Sequence, residues 1–302
     1  MENNKSTVTT LTHISDFHLP IEGRVPRHKL FSKRILGYAN LRFNRGKTHM
    51  KQPFIALLEH LFNQHADMCV ATGDFVNLAL SSEFAHLASI FEQTGFTDKN
   101  LFCIPGNHDR YTPGAQLRKD FETHFHQWLP FDNAQQAYPT FKIVGSVALI
   151  GVNTATWRGP VRAAGRIDKS QRQRIEQRLN TLPSGLTPVI AMHHPPFAAA
   201  GHMLKQYLDG LQHFEPLVAM LQGRNAVVIH GHIHVLSDRT YGDVRIIGVP
   251  SASNDTGTDR RQLGYNTLKF DAEGLKEAAC TQFWPATNTF RTFQLNETRA
   301  DL

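Results

Sequence analysis

The chain reads as an α/β fold, and three features of the sequence predict it. Short β-branched, apolar runs alternate with stretches whose apolar residues recur at helical spacing. The strand-like runs of the first half each end in a carboxylate, an amide or a histidine, at the sheet edge where α/β folds carry their chemistry. The 302 residues, 41% hydrophobic, suit one large domain with a real core and exclude global disorder.

In chain order, residues 8–14 alternate and are β-branched, which predicts a first strand running into Ser15-Asp-Phe-His18. Pro53 suits the first position of a helix whose apolar face is Phe54, Leu57, Leu58, Leu61 and Phe62. Residues 68–72 form the next strand and end in Gly73-Asp-Phe-Val-Asn77. A helix through Phe84, Leu87, Ala88 and Phe91 is closed by Gly95, and the strand at 101–104 ends in Pro105-Gly-Asn-His-Asp109. Residues 113–129 read as helical and mixed. Runs at 141–144 and 147–152 flank Gly145-Ser146 as a hairpin. An exposed, Arg-rich helix is predicted at 168–182, a strand at 187–192 ending in His193-His-Pro-Pro196, and a helix near 216–221. A buried strand at 227–230 then runs into Gly231-His-Ile-His234; beyond it, turns are expected at 239–243 and 271–274 and strands at 245–249 and 266–270. One domain over 1–302 is the expectation, with residues from about 278 to 302 as an accessory segment. Phe283, Trp284, Phe290 and Phe293 of that segment are expected to pack on the core, a homodimer contact being the alternative.

The net charge of +6 hides an uneven distribution. Between Gly23 and Leu58 there are nine Lys or Arg and no Asp or Glu; the remainder of the chain is mildly acidic. The basic insertion, residues 20–52, carries Phe31, Ile35 and Tyr38 at helical spacing and reads as an amphipathic basic helix or lid. A solvated insertion that shields the site or docks another subunit is the plainer reading. Cys69, Cys103 and Cys280 are odd in number and widely spaced, so buried free thiols are expected rather than disulfides. No signal-peptide layout opens the chain and its longest apolar runs are far short of a membrane span, so the expected location is cytoplasmic.

Five strand ends present Asp16 and His18, Asp74, Asn107 and His108, His193, and His232 and His234. Imidazole and carboxylate without thiolate suit manganese, iron or zinc. Two such ions need a shared carboxylate, for which Asp74 is the natural candidate, and a water bridging them becomes hydroxide near neutral pH. Each piece alone is weak; the ordered set, each after a strand, is specific. His49, His60, His65, His86, His124, His126, His202 and His213 follow no strand and are assigned to surface or packing.

The series Asp16-Phe-His18, Gly73-Asp74-Phe-Val-Asn77, Gly106-Asn-His-Asp109, His193 and Gly231-His-Ile-His234 resembles the calcineurin-like metallophosphoesterase superfamily. The resemblance implies a four-layer αββα sandwich of two mixed sheets flanked by helices, with a binuclear centre. It implies Asp16, His18 and His234 on one metal, Asn107, His193 and His232 on the other, and Asp74 between them. His108 would contact the phosphate and protonate the leaving oxygen, with Asn77, Asp109 and His194 lining or supporting the pocket. Phosphoprotein phosphatases of the superfamily carry an Asp where Asn77 stands, which points to a different subgroup.

His193-His-Pro-Pro196, Gly231-His-Ile-His234 and Gly248-Val-Pro-Ser-Ala-Ser253 look similar to the class III cyclic-nucleotide phosphodiesterases. That likeness makes hydrolysis of cyclic nucleotides or other small phosphodiesters the first expectation. The runner-up is a pyrophosphatase acting on UDP-2,3-diacylglucosamine at the membrane surface. The basic stretch 24–51 would then grip an anionic lipid headgroup, although Gly106-Asn-His-Asp109 replaces the Gly-Asn-Arg-Asp of those enzymes. A single basic arm is a thin footprint for nucleic acid, so a nuclease ranks third. A non-catalytic scaffold, as in one retromer subunit of this fold, is disfavoured by the complete ligand set.

Overall fold

The computed structural model describes residues 8–19, 51–110, 112–156, 163–196 and 210–295, and the backbone of 298–299. The basic insertion, with its expected helix through Phe31, Ile35 and Tyr38, lies outside the described residues up to position 50.

Two large mixed sheets face each other. In the first, β1 (Thr9–Ile14), β2 (Met68–Ala71) and β3 (Leu101–Cys103) run parallel. Three strands, β12 (Gly264–Asp271), β13 (Gly274–Trp284) and β14 (Thr289–Gln294), extend it antiparallel, in the order β14-β13-β12-β1-β2-β3. The second is built from β4 (Thr140–Val144), β5 (Val147–Val152), β7 (Thr187–Met192), β9 (Val227–His230), β10 (Ser237–Tyr241), β11 (Val244–Gly248) and β15 (Thr298–Arg299). Its order is β15-β10-β11-β9-β7-β5-β4, with β5, β7, β9 and β11 parallel. A short pair, β6 (Gly165–Arg166) and β8 (Leu211–Gln212), stands apart.

Three apolar clusters make the layers. Leu11, Val70 and Phe102 of the first sheet meet Leu149, Val189 and Ile229 of the second between the sheets. Helices α1 (Lys51–Phe62), α2 (Ser81–Thr94), α3 (Pro113–Arg118) and α4 (Asp120–Phe125) cover the outer face of the first sheet, and α5 (Lys169–Asn180) and α6 (Glu215–Leu221) that of the second. In α1 the buried residues Phe54, Leu57, Leu58 and Leu61 form one stripe, as their spacing predicts. Helix α2 ends on Gly95 at φ 104°, a left-handed cap that costs glycine little. The four-layer αββα arrangement is therefore present, with the expected hairpins at 145–146 and 271–274; the turn expected at 239–243 is tighter, because 239–241 pair within β10 and only 242–243 turn.

Three expectations are corrected. Residues 113–129 are not one helix, because Lys119 adopts φ 52° and breaks the run into α3, α4 and a 3-10 turn at 126–128. Helix α1 already runs at Lys51, so Pro53 sits inside its first turn, where no intrahelical N–H bond is lost. The segment from 278 is no appendage up to residue 294. It begins inside β13, which makes the ladder to β12 on one side and β14 on the other. Phe283 is buried there and Phe290 packs on the same core, whereas Phe293 is exposed.

Candidate metal centre

The C-terminal ends of β1, β2 and β3 meet those of β7 and β9 where the two sheets abut. All seven residues expected as ligands converge there. Each of the first two loops is anchored by the aromatic residue after its aspartate. Phe17 and Phe75 turn into the core and stack on each other at 4.8 Å between centroids, leaving Asp16 and Asp74 to face the centre.

The two carboxylates are held alike. Asp74 Oδ1 accepts the main-chain N–H of His108 at 2.7 Å, and Asp16 Oδ2 accepts that of His232 at 2.9 Å. The remaining oxygens face imidazoles. Asp16 Oδ1 lies 3.1 Å from His234 Nε2 and 3.9 Å from His18 Nε2. Asp74 Oδ2 lies 3.4 Å from His18 Nε2 and 3.4 Å from His193 Nε2, between the two groups. On the far side, His193 Nε2 is 3.1 Å from Asn107 Oδ1 and 3.3 Å from His232 Nδ1.

Donors bonded at ~2.1 Å to one tetrahedral or octahedral ion lie about 3.0–3.4 Å from one another; every spacing but the 3.9 Å between Asp16 and His18 falls in that window, a pattern that suits two divalent ions sharing Asp74. The donor types fit as well, with imidazole, carboxylate and one amide but no thiolate. His193 Nδ1–H donates to Thr72 O at 2.7 Å, which fixes its tautomer and leaves the Nε2 lone pair directed inward.

The adjacent pair His193 and His194 separates cleanly. His194 donates Nε2–H to Ala163 O at 2.7 Å and accepts the Thr154 hydroxyl on Nδ1 at 2.7 Å, so both its nitrogens already have partners, although one of them lies within 4.8 Å of donor atoms of His193 and His232. Its ring packs 4.5 Å from that of His232. His108 is half-buried at the rim, and its Nδ1–H donates to Asn77 O at 2.8 Å. Asn77 thus contacts His108 through its main chain, while its side chain donates to Leu19 O at 2.6 Å. Asp109 binds the β2 and β3 loops together by accepting the N–H groups of Phe75, Val76 and Gly106 at 2.8, 3.2 and 2.7 Å.

Residues 9–236 match the family model for calcineurin-like phosphoesterases. The chain belongs to that family. A probable cyclic nucleotide phosphodiesterase of Psychrobacter sp. (strain PRwf-1) is 25% identical over 222 residues, 69% of this chain and 61% of that protein. The 3',5'-cyclic adenosine monophosphate phosphodiesterase of Vibrio vulnificus is 22% identical over 243 residues, 74% of this chain and 78% of that one. Among solved structures, a purple acid phosphatase from yellow lupin seeds superposes with a TM-score of 0.65 at 12% identity, covering 98% of this chain and 54% of that one. A putative 5'-nucleotidase of Staphylococcus aureus gives 0.51 at 13% identity, covering 95% and 53%. The chain thus spans under two thirds of the Psychrobacter and lupin proteins, and at these identities the structural likenesses establish the fold.

Charge in this candidate centre follows from crowding. Burial opposes ionisation of Asp74, but the imidazoles of His193, His108 and His18 outweigh it and hold the carboxyl well below its usual range. Asp16 is lowered in the same way, burial being outweighed chiefly by His234. Burial pulls His193 down, yet Asp74 and Asp16 lift it to about 9, whereas burial and His193 press His232 to about 3. The metal-free centre therefore holds its carboxylates ionised, the state that divalent cations require of ligands.

Several supporting residues, inside and outside the motifs, carry roles that the sequence alone does not assign. Glu83 accepts the N–H groups of Asn77 at 3.0 Å and Leu80 at 2.9 Å, shaping the turn that offers Asn77 O to His108. Ser251 donates its hydroxyl to Asp16 O at 2.7 Å. His13 and Thr72 lie beneath the centre, and a histidine at an inward position of a strand was the available clue. Gly231 is needed for space: a Cβ there would stand 2.5 Å from Asp16 Oδ2. The histidines assigned to packing include His60, which stacks on Phe290 and bonds Tyr265 at 3.0 Å; His49 and His202 lie outside the described residues. His230 is buried and donates Nδ1–H to Gly231 O at 3.0 Å. Cys69, Cys103 and Cys280 are free and buried, and burial raises all three thiols.

Proposed function

We propose that the chain is a binuclear, metal-dependent phosphodiesterase acting on cyclic nucleotides or other small phosphodiesters. The observation that carries this reading is the single oxygen of Asp74 equidistant, at 3.4 Å, from an imidazole of each ligand group. Asp16, His18 and His234 would hold one ion, Asn107, His193 and His232 the other, with Asp74 shared. Two divalent cations there, manganese or iron first and zinc next, supply an activated water and positive charge for the phosphoryl oxygens.

The chain's own groups do the rest. Main-chain N–H groups of His108 and His232 hold the carboxylates in place, so no reorganisation is needed as charge develops. His108, oriented by Asn77 O, would in its protonated form donate a proton to the leaving oxygen. His194 and Asp109 keep the His232 ring and the His108 loop in register. The phosphodiester preference draws on the motifs shared with class III phosphodiesterases and on the names of the two sequence relatives.

The runner-up, a pyrophosphatase on UDP-2,3-diacylglucosamine, rests on the nine uncompensated basic residues between Gly23 and Leu58. In that reading residues 24–51 would bind the membrane surface; among the described residues no helix is long and apolar enough to cross a membrane. A metal-supplemented screen decides between them, using cyclic AMP, glycerophosphodiesters, UDP-diacylglucosamine, single-stranded DNA and phosphomonoesters. Turnover of the first two is expected. Turnover confined to UDP-diacylglucosamine or to phosphomonoesters contradicts the phosphodiesterase reading.

A further inference from the structure

The layer between the sheets is apolar through Leu11, Val70, Leu268 and Ile247, and then changes character directly beneath the metal centre. His13, two residues along β1 from Leu11 and on the same inward face, is fully buried. Its Nε2 lies 2.9 Å from the Thr72 hydroxyl. Thr72, also fully buried, is the residue whose main-chain oxygen receives the His193 Nδ1–H at 2.7 Å. His13 Nδ1 has no hydrogen-bond partner among the described residues, and neither has Oδ1 of Asn266, its register partner on β12.

A leucine at position 13 would continue the apolar layer begun by Leu11 and leave no buried nitrogen unsatisfied. An imidazole there works against folding, so its contribution must lie elsewhere, and the hydrogen-bonded path leads to the centre. Strand β2 ends at Ala71, and at Gly73 the chain turns with φ 98°. The Thr72 carbonyl between them faces His193, and main-chain bonds from Thr72 N–H to Ile14 O at 3.0 Å and from Asp16 N–H to Gly73 O at 2.9 Å hold the chain on either side of it. The grip on the Thr72 hydroxyl adds a side-chain hold on that setting.

We propose that His13 is a positioning residue of the metal centre, holding Thr72 so that its carbonyl keeps the His193 Nε2 lone pair directed at the ions. This rests on the two-metal reading above. Supporting partners of a metal-bound histidine are worth about 10–100-fold in metal affinity. One step further out, the low end applies.

The test uses full-length protein stripped of metal, with His13→Leu, Thr72→Val, the double variant and His13→Gln. Manganese and zinc affinities are read by equilibrium dialysis, and stability by urea unfolding without metal. Each single variant is expected to lose about tenfold in affinity. The double should lose no more than either single, since both break one path. His13→Leu should unfold at a midpoint no lower than wild type. His13→Gln, whose amide still reaches the hydroxyl, should stay within about threefold of wild type. Wild-type affinity in His13→Leu overturns the proposal, as do multiplying losses in the double variant or an affinity loss matched by a fall in the unfolding midpoint. If His13→Leu does not fold, a tenfold affinity loss in folded Thr72→Val upholds the proposal and wild-type affinity there overturns it. Wild-type protein that binds no metal overturns the two-metal reading itself, a different result from two bound ions that are indifferent to position 13.

Discussion

Replacing Gly231 with alanine tests the geometry at its tightest point. The new Cβ would stand 2.0 Å from Ser15 Oγ and 2.5 Å from Asp16 Oδ2, where ordinary contact begins at 3.4 Å. The Ser15 hydroxyl rotates away, but Ser15 Cβ, 2.7 Å from the new carbon, does not, and Asp16 Oδ2 is held by the His232 N–H at 2.9 Å. Relief therefore requires a shift of about 1 Å in the Ser15–Asp16 backbone or in the His232–His234 loop, a misplacement worth about 100-fold in rate. That corresponds to about 2.7 kcal/mol of barrier. The assay is turnover of bis(p-nitrophenyl) phosphate with added manganese, alongside metal content and a thermal unfolding curve. Gly114→Ala is the control, because its Cβ would meet only the flexible end of Arg118 at 3.1 Å. Gly231→Ala is expected to fold, to lose at least one metal ion and to turn over about 100-fold more slowly. Wild-type metal content together with wild-type turnover in Gly231→Ala refutes the argument.

Three further outcomes are expected. His108→Ala should lose about 100-fold in kcat/KM on substrates with poor leaving groups and much less on bis(p-nitrophenyl) phosphate, whose nitrophenolate leaves unaided; equal loss on both argues against proton donation. Burial and His230 press the His13 imidazole down to about 3, so the folded state keeps it neutral while the unfolded chain takes up a proton below about 6.5. Its contribution to stability therefore falls as the pH drops from 6.5 towards 3, by about 2 kcal/mol at pH 5, and urea unfolding of metal-free His13→Leu should lack that part of the slope. Charge reversal at Arg34 and Arg42 should weaken binding to anionic liposomes if residues 24–51 grip a lipid surface; no binding by the wild type removes the membrane reading.

What the sequence made legible was the side-chain chemistry and the rhythm that delivers it. Asp16, Asp74, Asn107, His193 and His232 each follow a β-branched or apolar run, and parallel strands in two abutting sheets carry their ends to one place. What it hid was main-chain work. The partners that orient His193, His108 and His194 are the carbonyls of Thr72, Asn77 and Ala163, and those that hold Asp74 and Asp16 are the N–H groups of His108 and His232. Every residue has the carbonyl and every residue but proline the N–H, so no letter of the sequence marks them. Backbone conformation was hidden for the same reason. Asp16, His18, Asp74, His232 and His234 hold φ of 58, 40, 55, 70 and 52°, a left-handed region that costs non-glycine residues on the order of 1 kcal/mol each. Only surroundings that over-determine the loops sustain it, as the Phe17–Phe75 stack and the Asp109 clamp do. The break at Lys119 escaped for a related reason, since helical spacing is continuous across a residue that leaves the helix. His13 was absorbed into strand alternation, because a histidine among β-branched neighbours reads as one more inward position.

The central claim is one carboxylate serving two ions, and counting the ions tests it most directly. Metal analysis of the purified protein after reconstitution with manganese should give about two divalent ions per chain. Asp74→Asn, which keeps the shape but removes the shared charge, should give fewer and lose turnover of bis(p-nitrophenyl) phosphate with them. A wild type that holds no metal and gains no activity from manganese, or an Asp74→Asn variant that holds two ions as firmly as wild type, contradicts the account.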